Sequence, residues 1–91
     1  MDFEWDEAKS ERNRIERRLP FDLAMALFEG PVLEQIDGRR DYGEKRVQAV
    51  GTAAGKTLLC IYTDRDHARR IISLRYANRR ERDAYRAAHT K

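Results

Sequence analysis

The sequence predicts an α+β fold, in which a small antiparallel sheet (a meander) is flanked by two N-terminal helices and one C-terminal helix. Apolar residues recur at helical spacing near both ends of the chain. Between them, runs rich in apolar and β-branched residues are separated by short polar turns, as in strands joined by hairpins. The length of 91 residues suits one domain, which we place at residues 1–91.

The N-terminal third is predicted to contain a short strand and two helices. Phe3-Glu4-Trp5 alternates apolar and polar residues, and Asp6 has the side chain of a helix N-cap. Pro20 suits the first turn of a second helix, whose broad apolar face ends at Gly30-Pro31. We therefore expect each helix to bury one face only.

The middle of the chain has the two-residue period of strands. The predicted strands cover 32–36, 46–51, 57–63 and 70–76. Turn signals separate them at Asp37-Gly38, Ala54-Gly55-Lys56 and Asp64-Arg65-Asp66-His67. Asn78 and Glu81 then have the N-x-x-E spacing of a capping box, which predicts the start of the last helix.

Alternation along these strands predicts that the two faces of the sheet differ. We expect an apolar set to pack against the helices: Val47, Ala49, Leu59, Ile61, Ile72 and Leu74. The opposite face would be a partly open polar platform of Arg46, Gln48, Tyr62, Ser73 and Arg75. A shift of one residue in strand register would exchange the two faces.

Positive charge is concentrated in the last third of the chain. Residues 1–64 carry 10 Lys+Arg and 13 Asp+Glu, whereas residues 65–91 carry 9 and 3. Eight of those nine cations are arginines, which bind phosphate bidentately and stack on bases. The distribution favours a polyanion, above all nucleic acid, as partner; the alternative is a solvated helix face.

Other classes of protein are disfavoured. No apolar run approaches the ~20 residues of a membrane span, and the acidic start MDFEWDEAK has no signal-peptide core. Cys60 is the single cysteine and lies in the apolar run LLCIY, as a core residue would. With one cysteine and His67 and His89 far apart in sequence, we expect a cytoplasmic protein with no metal and no cofactor.

Six segments keep an order and spacing that is typical of one family. They are FEWDEAK (3–9), PFDLAMALFEGP (20–31), DYGEKR (41–46), CIYTDR (60–65), RRIISLRYA (69–77) and NRRERDAY (78–85). Together they resemble BrnT, the ribonuclease toxins of type II toxin–antitoxin modules. The resemblance implies a RelE-like fold, metal-independent RNA cleavage, growth inhibition and neutralisation by a BrnA-like ribbon-helix-helix antitoxin. It also implies that the toxin–antitoxin complex binds operator DNA and represses its own operon.

RNA cleavage without a metal needs proton transfer and neutralisation of the charge on the phosphorane. The candidate catalytic residues are Arg75, Glu81, Arg46, Arg79 and Lys9. The first two lead because they match the family's RIISxR…ER signature. The candidate RNA-binding residues are Arg65, Arg70, Tyr62, Arg80 and Tyr85. Two further groups that could move protons are Glu44 and His67.

Most of these candidates also have a purely structural interpretation. Glu81 would act only as a helix cap, with Arg75 tying the last strand to it or to Asp83. Tyr62 would be a core aromatic whose hydroxyl reaches the surface. The remaining residues would be solvated or paired at the surface: Glu44, His67 and Lys9.

One departure from the family pattern falls at residues 16–18. After the asparagine that matches Asn13, relatives read N-x-x-K-H-G, whereas this chain reads NRIERR. Arg17 replaces a histidine, and arginine is a poor general acid because its pKa is too high. Two alternatives to an active toxin follow: a catalytically weakened co-repressor, and a nucleic-acid-binding module without an antitoxin. The lost glycine predicts that the first helix ends differently or continues to Leu19.

Overall fold

The computed structural model describes residues 1–39, 41 and 43–89. In chain order, these residues form β1 Phe3–Trp5, α1 Glu7–Arg17, α2 Leu23–Leu27, β2 Leu33–Ile36, β3 Val47–Ala53, β4 Lys56–Arg65, β5 Ala68–Tyr76 and α3 Arg79–His89. The predicted α+β class, with two N-terminal helices and one C-terminal helix, is confirmed. None of the described helices has the length and apolar character to cross a lipid bilayer.

The strands of the described chain form one five-stranded sheet in the order β1-β5-β4-β3-β2. β3, β4 and β5 form the predicted antiparallel meander, and β2 pairs antiparallel with β3. β1 instead runs parallel to β5, with Phe3 opposite Arg69 and Trp5 opposite Ile71. The sheet is therefore mixed, and the prediction of a purely antiparallel sheet was wrong. A three-residue strand has no local turn to set its direction, so distant contacts decide it.

Local signals set both ends of α1. The Asp6 carboxylate accepts a hydrogen bond from the backbone N–H of Lys9 at 3.1 Å, as an N-cap does. At the other end, Arg18 has φ 59° and donates its N–H to the Arg14 carbonyl at 2.9 Å. The helix thus ends at Arg17 and does not continue to Leu19. The glycine of relatives fits this left-handed position, where an arginine costs about 1 kcal/mol.

The first face of the sheet, defined by the side chains of Val47, Ala49, Cys60, Tyr62 and Leu74, carries the main core. The residues that pack on it from α2 and the preceding segment are almost fully buried: Leu19, Phe21, Ala24 and Leu27. A Cβ at Gly51 would lie 2.9 Å from Cγ of Leu27. This close approach of helix to strand requires glycine at that position.

The second face of the sheet corrects the predicted assignment of side chains. Pairing of β3 with β4 places Val50 opposite Leu59 and Gln48 opposite Ile61 on this face. Leu59 and Ile61 are buried as predicted, but the prediction that they and Ile72 share a face with Val47 and Ala49 was wrong, as was the platform position of Tyr62. β4 is apolar on both sides, so its alternation does not reveal its register. A register shift at Ile61/Tyr62 adds a further offset in β5.

α3 packs on the second face, opposite α2. Tyr85 of this helix, together with Ala77, contacts a smaller apolar cluster that contains Val50, Leu59 and Ile61. The helix thus covers one end of this face. Arg46, Thr63 and Arg70 lie side by side at the other end. Thr63 is four residues from Leu59 along β4, which is about 13 Å at ~3.3 Å per strand residue.

Candidate nucleic-acid interface

Four of the candidate arginines share the second face: Arg46, Arg65, Arg70 and Arg75. Thr63 lies opposite Arg70, and Leu59 lies opposite Arg75, in the β4–β5 ladder. Arg46 precedes Val47, the partner of Tyr62, so its side chain lies on the side of Thr63. The second face therefore has a cationic group at each end. The polar residues between them, Gln48 and Ser73, were correctly predicted to lie on this face.

At the end away from α3, carboxylates pair with the arginines. The two oxygens of Glu44 lie 3.6 Å from Nε of Arg46 and 3.6 Å from a terminal nitrogen of Arg65. Arg70 bonds Glu4 at 2.9 Å. Partly exposed ion pairs of this kind contribute only ~0–1 kcal/mol. A phosphate group, which accepts bidentate bonds from arginine, can compete with these carboxylates.

At the other end, Arg75 and Glu81 form a bidentate pair with both N–O distances at 2.8 Å. Glu81 also accepts from the backbone N–H of Asn78 at 2.9 Å, and its own N–H donates to the Asn78 side chain at 2.8 Å. Both structural roles predicted for Glu81, cap and partner of Arg75, are therefore present.

This pairing has a consequence for proton transfer. The hydrogen bonds from Arg75 hold the pKa of Glu81 below its ordinary value of 4.5. A carboxylate with a lowered pKa is a weaker base. The geometry thus favours Arg75 as a fixed donor for negative charge, and Glu81 as the group that positions it.

A basic groove of about 340 Å³ lies where α1 meets β5, beside the second face. Its lining includes three cations, one carboxylate and a hydroxyl: Lys9, Arg12, Arg17, Glu16 and Ser73. Arg17 donates to the Leu74 carbonyl at 3.2 Å, so its guanidinium is anchored to the strand. The departure from the family pattern at residue 17 therefore lies in this groove, together with the candidate Lys9.

Tyr62 lies away from these arginines. Its side chain is on the first face and 4% exposed, and its hydroxyl donates a hydrogen bond to Glu34. The Arg69 guanidinium lies 4.0 Å from the ring centroid, and the Phe28 ring meets it edge-on at 5.2 Å. Burial, with the Glu34 bond, raises the pKa of Tyr62. A base could stack on this ring only by displacing Arg69.

The remaining candidates lie on or near α3 and in a turn. The Tyr85 hydroxyl donates to the Pro31 carbonyl at 2.9 Å. Arg79 is 88% exposed and lies 3.9 Å from Asp83, while Arg80 lines a pocket beside Glu81. His67 is exposed in the β4–β5 turn. Within the described ranges, no three His, Cys, Asp or Glu side chains lie close enough to hold a metal ion.

Sequence reasoning missed Gln35 and Arg12 as lining residues. Gln35 lies opposite Gln48 across the β2–β3 ladder, with their amides 3.4 Å apart. Arg12, to which no role was assigned from the sequence, lines the basic groove. Both positions become visible only once the strand register and the place of α1 are known.

One face of the sheet is packed by α2, and the other face carries arginines beside α3, which defines a small α+β protein with a cationic surface. The sequence model of a family described as "Ribonuclease toxin, BrnT, of type II toxin-antitoxin system" matches residues 5–81. The chain belongs to this family of ribonuclease toxins, as its resemblance indicated, and the family implies an antitoxin partner. No curated protein matches the chain significantly.

Proposed function

We propose that this protein is a metal-independent endoribonuclease toxin that cleaves RNA and thereby inhibits growth. A BrnA-like ribbon-helix-helix antitoxin neutralises it, and the complex binds operator DNA and represses its own operon. Residues 1–91 act as one cytoplasmic domain with a RelE-like fold. The observation that carries the proposal is the gathering of Arg46, Arg65, Arg70 and Arg75 on one sheet face, in a chain of a ribonuclease family.

In this proposal, RNA lies across the second face. Arg75, fixed by Glu81, donates to the phosphorane as its charge develops, and preorganised donors of this kind supply a large share of catalysis. Arg46, Arg65 and Arg70 bind flanking phosphates by replacing their carboxylate partners.

The proton transfers need groups at the margins of the same face. Lys9 approaches from the basic groove, and Glu44 lies between two arginines at the far end. The exposed residues of α3, Arg79 and Arg80, extend the cationic surface along the bound strand.

A second candidate function is that of a co-repressor with weakened catalysis. The observation that favours it is the anchoring of Arg17, at the position of the family's histidine, to the Leu74 carbonyl. This side chain can hold a phosphate, but it cannot exchange a proton at neutral pH. The co-repressor would retain antitoxin and operator binding and lose RNA cleavage.

The test is cleavage of a long RNA by purified protein in the presence of EDTA, with induced growth assays beside it. We expect the wild type to cut the RNA and to arrest growth, and the antitoxin to relieve both effects. Arg75→Ala should slow cleavage by about 100-fold, the loss typical for one removed donor. Arg86→Ala is the matched control, because Arg86 is a largely exposed arginine of α3.

Two results would count against the proposal. Equal cleavage by Arg75→Ala and wild type would remove Arg75 from the site. Intact RNA with a folded wild-type protein, together with operator binding by the antitoxin complex, would favour the co-repressor.

A further inference from the structure

A pocket of about 410 Å³ opens on the second face between β2, β3 and the start of α3. Its apolar lining comes from Leu33, Val50, Leu59 and Ala84, of which Leu33 and Ala84 are the more exposed. Glu34, Gln35 and Gln48 line it from the strands, and Arg80 and Glu81 line it from the start of α3. We call it the glutamine pocket. It combines apolar surface, paired amides and one arginine.

A hydrogen bond orients the side-chain amides of Gln35 and Gln48 relative to each other. Gln35 lies 3.4 Å from Gln48, with the Nε2 of the first donating to the Oε1 of the second. Asp37, whose side chain is buried, is paired with Arg39 at 2.8 and 3.0 Å. The hydrogen bonds from Arg39, with a smaller contribution from Gln48, lower the pKa of Asp37. A carboxylate only accepts hydrogen bonds, so this contribution agrees with a Gln48 amide that presents its Oε1 to Gln35.

The bond to Gln48 leaves Gln35 with a defined set of hydrogen-bonding groups. One of its N–H groups is used in the bond to Gln48. Among the described residues, its carbonyl oxygen and second N–H make no other side-chain hydrogen bond and can bind a ligand. An amide that presents one acceptor and one donor pairs bidentately with the edge of a nucleobase. Leu33 and Ala84 would pack on the face of the same base, as apolar side chains do around an unstacked base.

We infer that the glutamine pocket binds one nucleobase of single-stranded RNA and makes cleavage dependent on sequence. The inference rests on the proposed function, because Glu81 belongs both to the pocket and to the Arg75 pair. A base held against Gln35 places its neighbouring phosphate at the Arg75 end of the second face. Arg80 at the rim supplies a further positive charge for the backbone. Gln48 acts as a positioning residue, since it reaches the base through Gln35.

The test maps the cleavage sites on a long RNA of even base composition. Wild type should show a base preference at one position next to the cut. Gln35→Leu keeps the approximate size of the side chain and removes the amide, so the preference should fall by about 10-fold, as for loss of one bidentate base contact. Thr52→Val is the matched control, because Thr52 is an exposed residue of β3 outside the pocket.

Two outcomes would overturn the inference. One is cleavage by wild type without a base preference. The other is a preference that Gln35→Leu retains; if that variant also binds antitoxin less tightly, the pocket belongs to the antitoxin instead.

The experiment also separates this inference from the proposed function. If wild type cuts no RNA, the proposed function fails, and binding of four short single-base RNA oligomers tests the pocket directly. Selective binding by wild type that Gln35→Leu loses would support the pocket as a base site. Equal binding of the oligomers by both proteins would refute it.

Discussion

Arg69 and Arg70 are neighbours in β5 whose side chains lie on opposite faces of the sheet. On the first face, Arg69 bonds Asp64 at 2.8 and 3.1 Å and stacks over the rings of Phe28 and Tyr62. On the second face, Arg70 has twice the exposed fraction, 30% against 15%, and bonds Glu4 through one nitrogen. The same residue type is therefore a structural group on one face and is accessible to a ligand on the other.

The surroundings of the side chains, and not their chemistry, produce this difference. On the first face, the rings of Phe28 and Tyr62 lie 4.7 and 4.0 Å from the Arg69 guanidinium, and Asp64 bonds it through two nitrogens. On the second face, the arginines meet carboxylates that a phosphate can replace. An arginine count alone therefore overestimates the surface available to nucleic acid, because Arg69 is already engaged.

The largest effect should come from replacing Arg69 or Arg70 by alanine, each in a separate variant. Arg69→Ala removes a bidentate bond and two ring contacts, so we expect a loss of about 2 kcal/mol in unfolding free energy, or a Tm about 10 °C lower. Arg70→Ala should cost less than ~1 kcal/mol. It should instead weaken RNA binding. The slope of log K against log salt concentration should fall by about one, as expected for the loss of one phosphate contact.

Thermal melts and RNA titrations at several salt concentrations measure these two properties. Two results would contradict this comparison: a lower Tm for Arg70→Ala than for Arg69→Ala, or loss of RNA binding in folded Arg69→Ala alone.

A smaller effect should follow from Gly51→Ala on the first face. The new Cβ would overlap the Leu27 side chain, and overpacking of this kind costs about 1–2 kcal/mol. Thr52→Ala, one residue further along β3 and exposed, should stay within about 0.5 kcal/mol of wild type. Urea unfolding of the two variants gives the answer, and equal midpoints would mean that the first face tolerates an added methyl group.

The smallest effect concerns the pH dependence of Glu81→Gln. Because Arg75 lowers the pKa of Glu81 in the folded protein, the unfolded chain takes up the proton first as the pH falls. The stabilisation is therefore complete above the ordinary value of 4.5 and is lost as the pH falls through the lowered value. Glu81→Gln should unfold more easily than wild type near neutral pH, and the difference should shrink in acid. Urea unfolding over this pH range measures it; a difference independent of pH would contradict the assignment.

Local chemistry was sufficient to predict much of the fold. Asn78 and Glu81 form the capping box that their spacing indicated. Ala54 and Gly55, at φ 52° and 74°, form the turn predicted between two strands. The strand register was not predictable, because β4 is apolar on both faces and either register would bury a similar surface.

The site was predictable only in part, for a related reason. The Arg75–Glu81 contact joins residues six apart, so a strand followed by a capped helix brings them together. The contact of Glu44 with Arg65 and the place of Lys9 beside Ser73 depend on how distant elements pack. No local pattern encodes such contacts. Tyr62 is an example, because the wrong strand register placed it on the opposite face in the prediction.

The pairing of β1 with β5 also has a consequence for synthesis of the chain. Phe3 is synthesised well before its partner Arg69. Asn13 and Arg17 of α1 depend on the same strand, because both donate to the Leu74 carbonyl. The β1 edge of the sheet can therefore close only after β5 has left the ribosome. A translation product that stops before β5 lacks Arg70 and Arg75 as well, so it has neither a finished sheet nor the complete set of arginines on the second face.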